Sequence, residues 1–138
     1  MAKKVVAKKP KAQKVARTRN AQTLTDSEYF GKIRSGLRKA FQYWKPMMIT
    51  LKNASRPSQN LANKRLKTEY QCNHCKEWFM EKEIQIDHIV DAGTLTCSND
   101  LPGFVDRLFC EVEGFQTLCK PCHQVKTNLA HKKIKENI

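Results

Sequence analysis

The fold is decided by residues 115–127, FQTLCKPCHQVKT, together with an earlier Cys-x-x-Cys pair. The two pairs are Cys72 with Cys75 and Cys119 with Cys122. Two such turns direct four thiolates at one point, which suits a tetrahedral Zn2+ ion. No secretory signal is recognised, and the thiols of a cytoplasmic protein stay reduced, so two disulfides are disfavoured. The sequence therefore predicts a cytoplasmic protein with a structural zinc ion held by four cysteines.

The chain between the pairs, residues 76–118, is longer than the about 15–20 residues of a zinc ribbon. Within it, residues 83–90 read EIQIDHIV, where isoleucines alternate with polar residues as in a half-buried strand. Pro121 favours the first turn of a helix that begins at the second cysteine pair. The zinc ion is thus expected to tie this strand to that helix.

Three residues of this frame are candidates for metal-dependent chemistry on a phosphodiester. Asp87 and His88 end the predicted strand, and we expect them to project into one cleft. His123 follows Cys122 on the helix, where neighbouring side chains point about 100° apart, so it should face away from the zinc ion. Asp87 and His123 can hold a divalent ion, and His88 can activate water as a general base. The alternatives are a surface Asp-His hydrogen bond and a histidine that only caps the zinc site.

The charge is concentrated in the first half of the chain. The formal net charge is +13, and residues 1–71 contain 18 of the 26 Lys and Arg but 3 of the 13 Asp and Glu. This asymmetry indicates a polyanionic partner, most plainly DNA contacted through its phosphate backbone. No run of 18 apolar residues is present, so no membrane partner is expected.

We divide the chain into three parts. Residues 1–23 are a basic, flexible arm that should order on DNA, although a solubility or targeting tail is an alternative. Residues 24–68 are a basic helical lead-in, and residues 69–138 are the catalytic domain.

The lead-in carries clear helix signals. A capping box at Thr25–Glu28 predicts a helix start, and an apolar stripe at helical spacing follows. Pro46 is expected to stop or kink this helix, and a second helix is predicted over residues 47–54. Residues 55–68 are predicted to be a polar connector.

The combined pattern resembles a known family. The order Cys-x-x-Cys, then Asp-His-Ile-Val at residues 87–90, then Leu-Cys-x-x-Cys-His-x-x-Lys-Thr at residues 118–127 is similar to the HNH endonucleases, in particular small bacteriophage-encoded ones. The resemblance covers about residues 70–130. It implies an α+β fold: a ββα-metal core stapled by a four-cysteine zinc and preceded by a basic helical N-terminal extension.

The resemblance also implies an activity and a set of roles. These are DNA nicking or cutting with Mg2+ or Mn2+, with His88 as base and with Asp87 and His123 as metal ligands. One position departs from the family, because Gly114 stands where the family has its middle Asn. A backbone carbonyl is the expected replacement partner for His88.

The sequence thus predicts a hydrolase, an HNH-type endodeoxyribonuclease. The alternative is a catalytically weak, zinc-containing DNA-binding accessory protein of a phage packaging or recombination machine. An RNA-binding protein of ribosomal type is disfavoured, because RNA binding needs neither the Asp-His pair nor His123. The DNA target, the number of strands cut, the biological role and the oligomeric state are left open.

Overall fold

The computed structural model describes residues 10–137 of the chain, and these form a mixed α+β structure. The helices are α1 (Asp26–Phe41), α2 (Lys45–Asn53), α3 (Leu101–Leu108) and α4 (Lys120–Glu136). The strands are β1 (Ser55–Pro57), β2 (Thr68–Gln71), β3 (Trp78–Phe79), β4 (Ile84–His88) and β5 (Phe115–Cys119). Short 3-10 turns precede β4, α3 and β5.

Two small antiparallel sheets position the site. One has the order β1-β2-β3, and the other pairs β4 with β5. In the second sheet Asp87 lies opposite Gln116 and His88 lies opposite Phe115. Helix α4 begins at the residue after β5, so the β4–β5 pair and α4 form a continuous strand–strand–helix unit, with α3 in the connection between the strands.

In residues 24–68, helix α1 begins where the sequence predicts but ends earlier than predicted. Thr25 caps α1 in a capping box with Glu28, as the sequence predicts. The helix ends at Phe41, and the chain turns at Tyr43, whose φ is 65°. Pro46 is not the breaker, because it lies in the first turn of α2, where a missing N–H is tolerated. The predicted connector at residues 55–68 also contains β1, which pairs with β2.

Two separate apolar clusters hold the described residues together. The first joins the apolar stripe of α1 to α3, with Phe30, Leu95, Phe104 and Leu108 among its buried members. The second lies around the cysteine pairs; its buried members are Cys72, Ile84, Leu118 and Cys119. Two of these four buried members are cysteines, and Leu51, Tyr70 and Phe79 pack against them while staying partly exposed.

The basic arm is only partly within the described residues, since residues 1–9 lie outside them. Where the arm meets α1, Arg17 pairs with Glu28 at 3.0 Å and Arg19 pairs with Asp26 at 2.9 Å. Between residues 10 and 137, no helix combines the length and the apolar character needed to cross a bilayer.

Candidate metal and catalytic site

The four predicted zinc ligands converge. Cys72 follows β2, and the turn after it closes with Lys76, whose φ is 62° and whose backbone N–H donates to the Cys72 carbonyl at 3.0 Å. The four sulfur atoms lie within 4.8 Å of one another. The Sγ atoms of Cys75 and Cys119 are 3.9 Å apart. Tetrahedral Zn–S bonds of about 2.3 Å require about 3.8 Å between sulfurs, so the cluster fits a metal ion such as zinc.

The pKa values of these cysteine thiols differ. Burial raises the pKa of the Cys72 thiol, but backbone N–H groups, led by that of Cys119, outweigh burial and lower the pKa to about 6. Hydrogen bonding with the Cys119 thiol, together with burial, raises the pKa of Cys122 to about 12. Four thiolates at this spacing repel one another, and a bound divalent cation removes that repulsion. The donor set therefore matches a cation that deprotonates all four sulfurs.

Asp87 and His123 are brought together next to the second cysteine pair. The Asp87 carboxylate is buried, and its Oδ1 lies 3.5 Å from Nε2 of His123. His123 is in the first turn of α4, beside the ligand Cys122, so the cysteine cluster fixes where the imidazole lies. Neighbouring ligands of an octahedral ion with bonds of about 2.1 Å are about 3.0 Å apart. A shift of roughly 0.5 Å would thus let this oxygen and nitrogen share one divalent ion.

The second oxygen of Asp87 has two protein partners. Lys126 donates from Nζ to Oδ2 at 2.6 Å, and Gln116 donates from Nε2 to the same oxygen at 3.0 Å. The Lys126 ammonium also contacts the His88 carbonyl, and it lies 3.7 Å from Asp91. This carboxylate therefore presents only Oδ1 toward His123.

His88 faces the other side of the sheet, which differs from the expected single cleft. Successive side chains of a strand point to opposite faces, and β4 is regular through His88. The ring of His88 lies 4.8 Å from that of Phe115 and 5.3 Å from that of Phe41, between centroids. Its Nε2 is 2.9 Å from the carbonyl oxygen of Leu108. A carbonyl only accepts, so Nε2 donates, and a neutral His88 keeps its lone pair on Nδ1.

A backbone carbonyl, that of Leu108, thus holds the ring of His88. Gly114 itself is closely packed, since a Cβ there would lie 2.5 Å from Cys110 Sγ. The Gly114 carbonyl accepts from the Ile89 backbone N–H at 2.9 Å, which holds the chain just after His88.

Sequence reasoning did not assign roles to Lys126, Gln116 or the Leu108 carbonyl. Strand register could have identified Gln116. If the two strands pair antiparallel with Ile84 opposite Cys119, then Gln116 lies opposite Asp87. Lys126 lies three residues after His123, which is the helical spacing for a shared face. Comparison with protein-family models, with curated proteins and with solved structures gave no match.

Proposed function

We propose that this chain is a metal-dependent endonuclease of HNH type that hydrolyses DNA phosphodiester bonds. The observation that carries the proposal is the 3.5 Å approach of Asp87 Oδ1 to His123 Nε2 at the start of α4, directly beside the four-cysteine cluster. Asp87 and His123 would hold Mg2+ or Mn2+, and the cysteines would hold a structural Zn2+. The divalent ion supplies charge neutralisation at the scissile phosphate.

His88 is the proposed general base. Its hydrogen bond to Leu108 supports this role, because it leaves Nδ1 as the proton acceptor of the neutral ring. Asp87 and His88 face opposite sides of β4, and His88 is the last residue of that strand. The proposal therefore requires the scissile phosphate to lie over the end of β4, within reach of both side chains.

The basic lead-in is the proposed DNA-binding part. The exposed face of α1 carries Lys32, Arg34, Arg38 and Lys39, and the opposite face packs on the first apolar cluster. With phosphate contacts of this kind, the logarithm of the binding constant falls linearly with the logarithm of salt concentration, and there is little sequence preference.

A plasmid nicking assay tests the activity. The wild-type protein should nick or cut DNA with Mg2+ or Mn2+ and should be inactive in EDTA. His88→Ala should abolish cleavage while the protein stays folded and retains its zinc and its DNA affinity. Its melting temperature should fall, because the substitution removes the contacts with Phe41 and Phe115 and the hydrogen bond to Leu108. His131→Ala is the matched control, because His131 is an exposed histidine on α4 far along the helix from His123. If the His88→Ala variant cleaves DNA as well as the wild type does, His88 is not the general base.

One observation favours a second candidate, a zinc-containing DNA-binding accessory protein of a phage packaging or recombination machine. Asp87 is already ion-paired with Lys126 at 2.6 Å, and His88 faces away from it, so both residues have structural partners. This candidate predicts salt-dependent DNA binding with no cleavage in Mg2+ or Mn2+. Metal-dependent cleavage by wild type that is lost in His88→Ala would exclude it.

A further inference from the structure

Asp87 is connected to the cysteine turn by a chain of two side-chain amides, those of Asn73 and Gln116. We propose that these two are positioning residues, which aim one oxygen of Asp87 at the divalent ion and so couple the cysteine cluster to the catalytic site. This inference rests on the function proposed above, and it adds two residues to which the sequence assigned no role.

This series of hydrogen bonds begins inside the first Cys-x-x-Cys turn. Asn73 is anchored there by its backbone N–H, which donates to the Thr117 carbonyl at 2.8 Å. Its side-chain Nδ2 donates to Oε1 of Gln116 at 3.1 Å. The Nε2 of Gln116 then donates to Oδ2 of Asp87 at 3.0 Å.

A charged group at each end fixes the direction of both amides. The Asp87 carboxylate only accepts hydrogen bonds, so Gln116 must present its NH2 group there and its carbonyl to Asn73. At the other end Lys76 only donates, and its Nζ is 3.2 Å from Oδ1 of Asn73. The donors therefore run in one sense, from the Lys76 ammonium to the Asp87 carboxylate.

The consequence, among the described residues, is a carboxylate whose two oxygens have different surroundings. Gln116 and Lys126 both occupy Oδ2, which leaves Oδ1 facing His123. Hydrogen bonds that orient a metal ligand in this way typically change metal affinity by about 10–100-fold when they are removed. Asn73 is exposed, so water could replace an amide that is simply deleted. A variant that reverses the direction of these hydrogen bonds is a sharper test.

Asn73→Asp is that variant. The new carboxylate keeps the size of the side chain and can still pair with Lys76. Both its oxygens only accept, so Gln116 must turn its NH2 group toward residue 73 and its carbonyl toward Asp87, where two oxygens then repel. The expected result is a Mn2+ dissociation constant raised by about 10–100-fold. Gln116→Leu removes the same hydrogen bond without adding charge and should act in the same direction.

Asn128→Asp is the matched control. Asn128 also belongs to an amide pair, but its Oδ1 accepts from Gln124 Nε2 at 2.9 Å. The substitution therefore adds the same charge without reversing any hydrogen bond, and Mn2+ affinity should stay within about threefold of wild type.

Mn2+ binding to the DNA-free protein is measured by electron paramagnetic resonance titration, with zinc content and melting temperature recorded for each variant. The Mn2+ concentration for half-maximal nicking should rise in parallel, and kcat at saturating Mn2+ should return to the wild-type value. If Asn73→Asp and Gln116→Leu bind Mn2+ as the wild type does, the inference fails and the proposed function stands. If both lose zinc, the amides serve the cysteine cluster and the inference is overturned. A wild type that neither binds Mn2+ nor nicks DNA overturns both.

Discussion

Removal of the metal ion from the cysteine cluster should unfold one half of the molecule before the other. The cluster around the cysteines has partly buried hydrophobic neighbours, Leu51, Tyr70 and Phe79. Among the described residues, its buried aliphatic side chains are Ile84 and Leu118. Their burial contributes about 3–6 kcal/mol together. Ordering the two four-residue cysteine turns costs about 8–16 kcal/mol. A structural Zn2+ supplies about 10–16 kcal/mol, with the ordering cost included, so this part should be stable by several kcal/mol with metal and unstable without it.

The assay is hydrogen exchange followed by mass spectrometry, on protein treated with a chelator until zinc release is complete. We expect peptides that span β2, β3 and β5 to lose protection by about 1,000-fold, since each 1.4 kcal/mol is a tenfold change. Peptides of α1 and α3 should lose much less, because Phe30, Phe104 and Leu108 pack in the other cluster. Unchanged protection of β2 and β5 after complete zinc loss would refute the reasoning, as would purified protein with no bound metal.

Three further substitutions test local packing and capping. Gly114→Ala should cost about 1–3 kcal/mol, because the added methyl group meets Cys110 Sγ at 2.5 Å. Cys110→Gly in the same chain should restore most of the melting temperature, and a double variant as unstable as the single one would contradict this. Trp44→Phe should lower the urea midpoint by the equivalent of about 1–3 kcal/mol, since Nε1 donates to the Cys110 carbonyl at 2.8 Å. Thr25→Ala should cost about 1 kcal/mol through loss of the α1 cap. Thr25→Ser should be close to neutral in the same thermal melts, and an equal loss in both would rule out the cap as the cause.

The sequence by itself determined the features that depend on residues a few positions apart. The spacing within each Cys-x-x-Cys pair predicted a metal cluster, because each turn alone brings its two sulfurs to one side. The Thr25–Glu28 capping box marked the start of α1 within one residue. The alternation of Ile84 and Ile86 identified β4, and Pro121 identified the first turn of α4. Each of these signals depends on neighbours a few residues apart.

Only the tertiary structure decided how the candidate site is assembled. Asp87 and His88 are adjacent in sequence, yet the regular pairing of β4 with β5 sends them to opposite faces of the sheet. The partners of Asp87 come from β5 and α4, 29 and 39 residues away, and the carbonyl that holds His88 comes from α3, 20 residues away. Such contacts depend on strand register and on helix packing, which sum many weak interactions across the chain. No pattern of neighbouring residues encodes them.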